Sequence, residues 1–155
     1  KIMFIGEAPG KNEAKTGKPF CGSAGRVLDE LLDHVGLVRN DIFITNIVKD
    51  RPPKNRDPLP KEIEIYSYFL DEEIDVIKPK VIATLGRFSM EYVLNKFGCS
   101  EHLQPIGKMH GNSFKANTHY GEIDIVVLYH PCVAVYDPRK KNILKKDIRL
   151  LKNIC

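Results

Sequence analysis

No apolar run in this sequence is long enough to span a bilayer. No pair of its four cysteines falls at a C-x-x-C or other metal-type spacing. The first absence argues against an integral membrane protein, and the second against a metal site built on these thiols. The scatter of Cys21, Cys99, Cys132 and Cys155 fits reduced thiols of an intracellular, cytoplasmic protein rather than a disulfide framework. No secretory leader is visible, although the chain opens at Lys1, already in a strand-like run. Internal repeats and low-complexity linkers are missing too, so a single domain over 1–155 is expected.

What is present suits that size. The 155 residues allow one hydrophobic core, and 43% hydrophobic with 28% charged residues is ordinary for a globular chain. The net charge of +4 permits a polyanionic partner without demanding one. Its distribution says more. Lys49, Arg51, Lys54 and Arg56 cluster in one Pro-rich loop, and Arg139, Lys140, Lys141, Lys145, Lys146, Arg149 and Lys152 crowd the C-terminal segment. Such runs are usually solvated faces, but two clusters flanking candidate pocket residues favour a nucleic-acid partner.

Short apolar runs alternate with helical patterns, which predicts an α/β domain with a largely parallel sheet. Strands are expected at Lys1 to Ile5, Ile42 to Val48 and Val81 to Leu85, with Ser113 to Ala116 and Ile123 to Tyr129 as a candidate hairpin turning at Thr118 to Gly121. Helices are expected at Ser23 to Val35, Lys61 to Ile77, Phe88 to Phe97 and Pro138 to Ile154. Gly6 to Gly22 reads as one long loop, and the prolines of Asp50 to Pro60 exclude both helix and central strand there. The architecture predicted is a three-layer α/β/α sandwich around a mostly parallel four-stranded sheet.

Ligands of open α/β sheets bind beyond the carboxyl ends of the strands. That rule gathers Glu7, Asn46, Gly86 and His130. Alone, Gly6-Glu7-Ala8-Pro9-Gly10 supports only a phosphate-friendly turn, and it matches neither G-x-x-x-x-G-K-[ST] nor G-x-G-x-x-G. Phe20 stands outside any periodic segment, which argues against a plain core role. Taken singly, Asn46 would more often be a strand-end turn residue. His34, His102, His110 and His119 are read as structural.

Four ordered blocks carry a resemblance. Gly6-Glu7-Ala8-Pro9-Gly10 with Glu13, then Gly17-Lys18-Pro19-Phe20-Cys21-Gly22-Ser23-Ala24-Gly25, then Thr45-Asn46-Ile47-Val48-Lys49 with Arg51-Pro52-Pro53-Lys54-Asn55-Arg56, and finally Tyr129-His130-Pro131, resemble the motifs of family 4 uracil-DNA glycosylases. The resemblance covers nearly the whole domain. It implies a monofunctional glycosylase that flips uracil from DNA and hydrolyses its N-glycosidic bond, leaving an abasic site. Glu7 and His130 would then be catalytic, Glu7 toward water and His130 toward uracil O2. Gly6, Ala8, Pro9, Gly10, Phe20 and Asn46 would form the base pocket, with Phe20 stacking and Asn46 reading the base edge. Lys49, Arg51, Lys54 and Arg56 would contact phosphates. The implied partner is uracil-containing DNA, single- or double-stranded, and the protein is expected to be a monomer. After His130 the family has a loop that wedges into the duplex, here Cys132 to Tyr136.

The sequence departs from the family in one respect. Members bind a [4Fe–4S] cluster through four cysteines, two of them upstream of the first strand. The third and fourth positions are Asp50 and Tyr66 here, and neither replaces a thiolate. No cofactor and no metal are therefore expected. The alternative function is a non-catalytic DNA-binding or replication-associated protein on the same fold. A nucleotide-binding regulatory domain would rest on the glycine turn alone.

Overall fold

The computed structural model describes residues 1–154. The expected reduced thiol at Cys155 lies outside the described residues. Five strands form the sheet, β1 (Ile2–Gly6), β2 (Ile42–Asn46), β3 (Val81–Leu85), β4 (Ser113–Thr118) and β5 (Gly121–Leu128), in the order β2-β1-β3-β5-β4. The helices are α1 (Lys11–Thr16), α2 (Ser23–His34), α3 (Pro60–Ile77), α4 (Arg87–Lys96), α5 (Ile106–Met109), α6 (Cys132–Tyr136) and α7 (Lys141–Ile154).

Neighbours among β2, β1, β3 and β5 pair in parallel, and β4 pairs antiparallel with β5. β1 and β3 are buried throughout, as strands covered on both faces must be. Alternate residues serve opposite layers. Ile2 and Phe4 join Val27, Leu28, Leu31 and Leu32 of α2 and Leu144, Ile148 and Leu151 of α7. Met3 and Ile5 join Leu70 and Ile74 of α3 and Met90, Val93 and Leu94 of α4. The chain leaves β1 toward β2 on one side and returns to β3 on the other. The strand order thus reverses at β1, opening a crevice at its carboxyl end.

The three-layer α/β/α plan stands, with corrections. The sheet has five strands, not four, because both arms of the hairpin belong to it, Phe114 facing Ile125 and Ala116 facing Ile123. Its turn lies where the sequence puts it, with Thr118 Oγ1 donating to Gly121 O at 2.7 Å. β2 ends at Asn46, after which the Ile47 and Val48 amides still donate to Gly6 O and Glu7 O. The Gly6 to Gly22 loop contains α1, a helix without a buried residue. It is set by Glu13, which accepts the Gly10 N–H at 2.9 Å, and it stops at Gly17, whose φ of +72° glycine adopts readily. The segment after His130 is also a short helix, α6, rather than a loop. Pro138 to Lys140 form a 3-10 turn before α7. Among the described residues, no helix is long and apolar enough to cross a membrane.

Candidate active site

The crevice beyond β1, β2 and β5 is a cleft of about 390 Å³, lined in part by Glu7, Phe20, Asn46, His130 and Tyr136. That volume lies in the lower part of the range for small-molecule sites, about 300–1,000 Å³. Every residue expected in the base pocket lines it except Gly6, which forms the floor behind. Gly6 pairs across the sheet with Asn46. A Cβ on Gly6 would stand 2.5 Å from Asn46 Oδ1 and 2.8 Å from Phe20 Cζ, so only glycine leaves both side chains in place.

Asn46 closes β2 and is buried. Its Oδ1 has no hydrogen-bond partner among the described residues. A buried amide oxygen left unpaired costs about 1–3 kcal/mol, which a donor entering the cleft would recover. The Phe20 ring lies 5.5 Å from the His130 ring, centroid to centroid, at an interplanar angle of 31°.

His130 follows β5, where Pro131 caps α6 and turns the chain. The Cys132 N–H donates to His130 Nδ1 at 3.1 Å. A nitrogen that accepts a hydrogen bond carries no proton, so the neutral ring holds its hydrogen on Nε2. Burial keeps it neutral by pushing the imidazolium down to about 4, against a smaller upward pull from Glu13. His130 is therefore a neutral donor throughout the physiological range.

Glu7 follows β1. Burial first, and the Asp57 carboxylate second, push its carboxyl up to about 6, while Arg87 pulls it down. A base poised there is charged at neutral pH yet still ready to take a proton. Glu13 does different work. Burial alone would raise its carboxyl, but hydrogen bonds from Cys21 and Gly22 hold it low. With Gly10, Cys21 and Gly22 N–H all donating to it, Glu13 ties the cleft wall together.

The four basic residues of the Pro-rich loop are not equivalent. The Lys49 ammonium is held by Glu73 and donates to Thr45 Oγ1 at 2.6 Å and Asn46 O at 2.7 Å, so its charge is matched inside the protein. Arg56 lines the cleft but is gripped by both oxygens of Glu62, at 2.7 and 3.1 Å. Arg51 reaches Asn55 Oδ1 at 2.8 Å, and Lys54 is exposed. Sequence reasoning passes over Lys11, which opens α1 and also lines the cleft. It also misses Arg39, Asp57 and Arg87, which act on the site from segments without a motif.

The model of the uracil DNA glycosylase superfamily matches residues 1–152. The chain belongs to that superfamily. It is 44% identical over 156 residues to a type-4 uracil-DNA glycosylase of Sulfurisphaera tokodaii, covering 100% of this chain and 70% of that protein. It is also 44% identical to the type-4 enzyme of Saccharolobus solfataricus, covering 98% of this chain and 70% of the relative. With the type-4 enzyme of Archaeoglobus fulgidus it shares 36% identity over 100% of this chain and 77% of the relative.

Within this glycosylase superfamily, the iron–sulfur cluster of family 4 finds no matching donors in the described residues. Tyr66 O–H donates to the Asp50 carboxylate, so the two ligand positions are bonded to each other. Among the described residues no group of three or more His, Cys, Asp or Glu is placed to hold a metal ion.

Proposed function

We propose that the protein is a monofunctional uracil-DNA glycosylase that hydrolyses the N-glycosidic bond of a flipped uracil and leaves an abasic site. One observation carries this reading: the unpaired, buried Asn46 Oδ1 in a cleft shared with Phe20, His130 and Glu7. Uracil N3–H would donate to Oδ1 while O4 accepts from the neighbouring Nδ2–H. Cytosine offers an unprotonated N3 and an amino group, the reverse order, and would leave buried groups facing like partners. The base would stack on Phe20.

Bond cleavage leaves the C1′–N1 electron pair on the base and positive charge on the sugar. The His130 Nε2–H would donate to uracil O2 as charge gathers there. Such a donor is typically worth about 3 kcal/mol. The Glu7 carboxylate stabilises the cationic sugar and orients water, whose oxygen bonds to C1′ and whose proton passes to Glu7. Val135 and Tyr136, 40% and 86% exposed on α6 at the cleft rim, supply the apolar wedge. Arg51 and Lys54 are the phosphate contacts favoured within the Pro-rich loop, with Lys49 in an anchoring role. The partner is DNA, the acting species a monomer, and the setting the cell interior where DNA lies.

Asn46→Asp tests the reading. Excision from matched uracil- and cytosine-containing oligonucleotides should show loss of uracil activity or weakened discrimination against cytosine. Unchanged uracil selectivity would remove Asn46 as base reader.

A further inference from the structure

The stacking ring stands on a backbone that its own sequence does not favour. Phe20 has φ of +50°, in the left-handed region that non-glycine residues seldom adopt. Its carbonyl is pressed against α2, where a Cβ on Gly25 would fall 1.8 Å from Phe20 O. Glycine at 25 permits that approach but does not hold it.

Arg39 holds it. This residue opens the 3-10 turn Arg39–Asp41 before β2, and it is not part of the cleft lining. Its Nη1 donates to Pro19 O at 3.0 Å, and its Nη2 to Phe20 O at 2.8 Å and to Gly25 O at 3.4 Å. The Asp29 carboxylate orients the guanidinium through Nε at 2.8 Å. The wall is thus gripped twice, its amides at Cys21 and Gly22 by the Glu13 anion and its carbonyls by the Arg39 cation. A planar fork suits three carbonyls spread over two segments, whereas a lysine is a point charge.

We propose that Arg39 is a positioning residue for base stacking, whose guanidinium fixes the Phe20 backbone and so sets the face on which the flipped base lies. This rests on the reading of Phe20 as the residue that stacks on uracil.

A double-mutant cycle tests it. Single-turnover uracil excision and KM for DNA are measured for wild type, Arg39→Ala, Phe20→Ala and the double variant. Each single variant should lose about 5- to 100-fold in rate, the range for a lost base–aromatic stack. KM should change little, because phosphate contacts dominate DNA affinity. In the Phe20→Ala background, Arg39→Ala should cost less than about threefold further, the sign of a shared route. Equal losses in both backgrounds, or no loss from Arg39→Ala alone, would overturn the proposal. Should Arg39→Ala fail to fold, Arg39→Lys and Asp29→Asn are judged by the same cycle and the same outcomes. A folded wild type inactive on uracil would sink the glycosylase reading itself. Arg39 is then judged by amide exchange at Cys21 and Gly22, which should quicken in the Arg39 variant, and unchanged exchange would overturn its role.

Discussion

Glu7→Gln should cut activity by about a hundredfold or more and at the same time stabilise the fold. Burial raises the Glu7 carboxyl from its ordinary 4.5 to about 6. That rise corresponds to about 2 kcal/mol against the charged form. Glu7 is partly open to solvent, so screening reduces the figure to about 1 kcal/mol. Below pH 4.5 the carboxyl is protonated in both folded and unfolded chains and costs nothing. As pH rises through 4.5 the unfolded chain ionises first, and stability is lost until the folded group follows at about 6. Glutamine keeps the shape without the charge. Its advantage should therefore be absent at about pH 4, and at about pH 7.5 it should reach about 2–4 °C in Tm. Loss of the base should cost about 10²- to 10⁴-fold in single-turnover excision. The wild-type rate should climb with pH around a midpoint near 6 as Glu7 ionises. Thermal unfolding at both pH values, beside the excision assay, checks all three. A Glu7→Gln variant that is less stable than wild type at the higher pH, or that excises uracil at close to the wild-type rate, would refute the argument.

His130→Gln should lower the excision rate by about 10²- to 10³-fold through loss of the O2 donor. Because the folded ring protonates only at about 4 while a free imidazole does so near 6.5, stability falls as pH drops through that window. The same variant should remove that part of the acid sensitivity, on the order of 3 kcal/mol, and unchanged acid unfolding would contradict it. Metal analysis of the purified protein should find no stoichiometric iron, and its presence would overturn the reading of Asp50 and Tyr66. Tyr66→Phe should leave uracil excision intact while speeding proteolysis within Asp50 to Pro60.

The parts of the fold legible in the sequence are those that local pattern dictates. β1 and β3 are short, mostly apolar runs buried throughout because helices cover both faces, and the strand-end rule then brings Glu7, Asn46 and His130 to one crevice. α1 escapes notice because it has no apolar stripe and depends on Glu13. α6 hides behind Pro131, and its five residues are too few to show a period. The hairpin is visible as a pattern, but its membership in the sheet depends on the long-range pairing of β5 with β3. Charge partners are equally non-local. Lys49 finds Glu73 and Arg39 finds the Phe20 carbonyl only once the layers are packed. A cluster of basic residues in sequence therefore overstates the cations free to meet phosphate.

The central claim is that the Asn46, Phe20, His130 and Glu7 cleft removes uracil from DNA. Its most direct measurement is incubation with an end-labelled oligonucleotide carrying one uracil, followed by separation with and without alkali. The account predicts strand breaks at the uracil position only after alkali, the mark of an abasic site made without lyase chemistry. Breaks before alkali that vanish in Lys11→Ala would contradict the monofunctional mechanism. A folded protein that binds the oligonucleotide yet leaves uracil intact in both single and double strands would contradict the enzymatic reading.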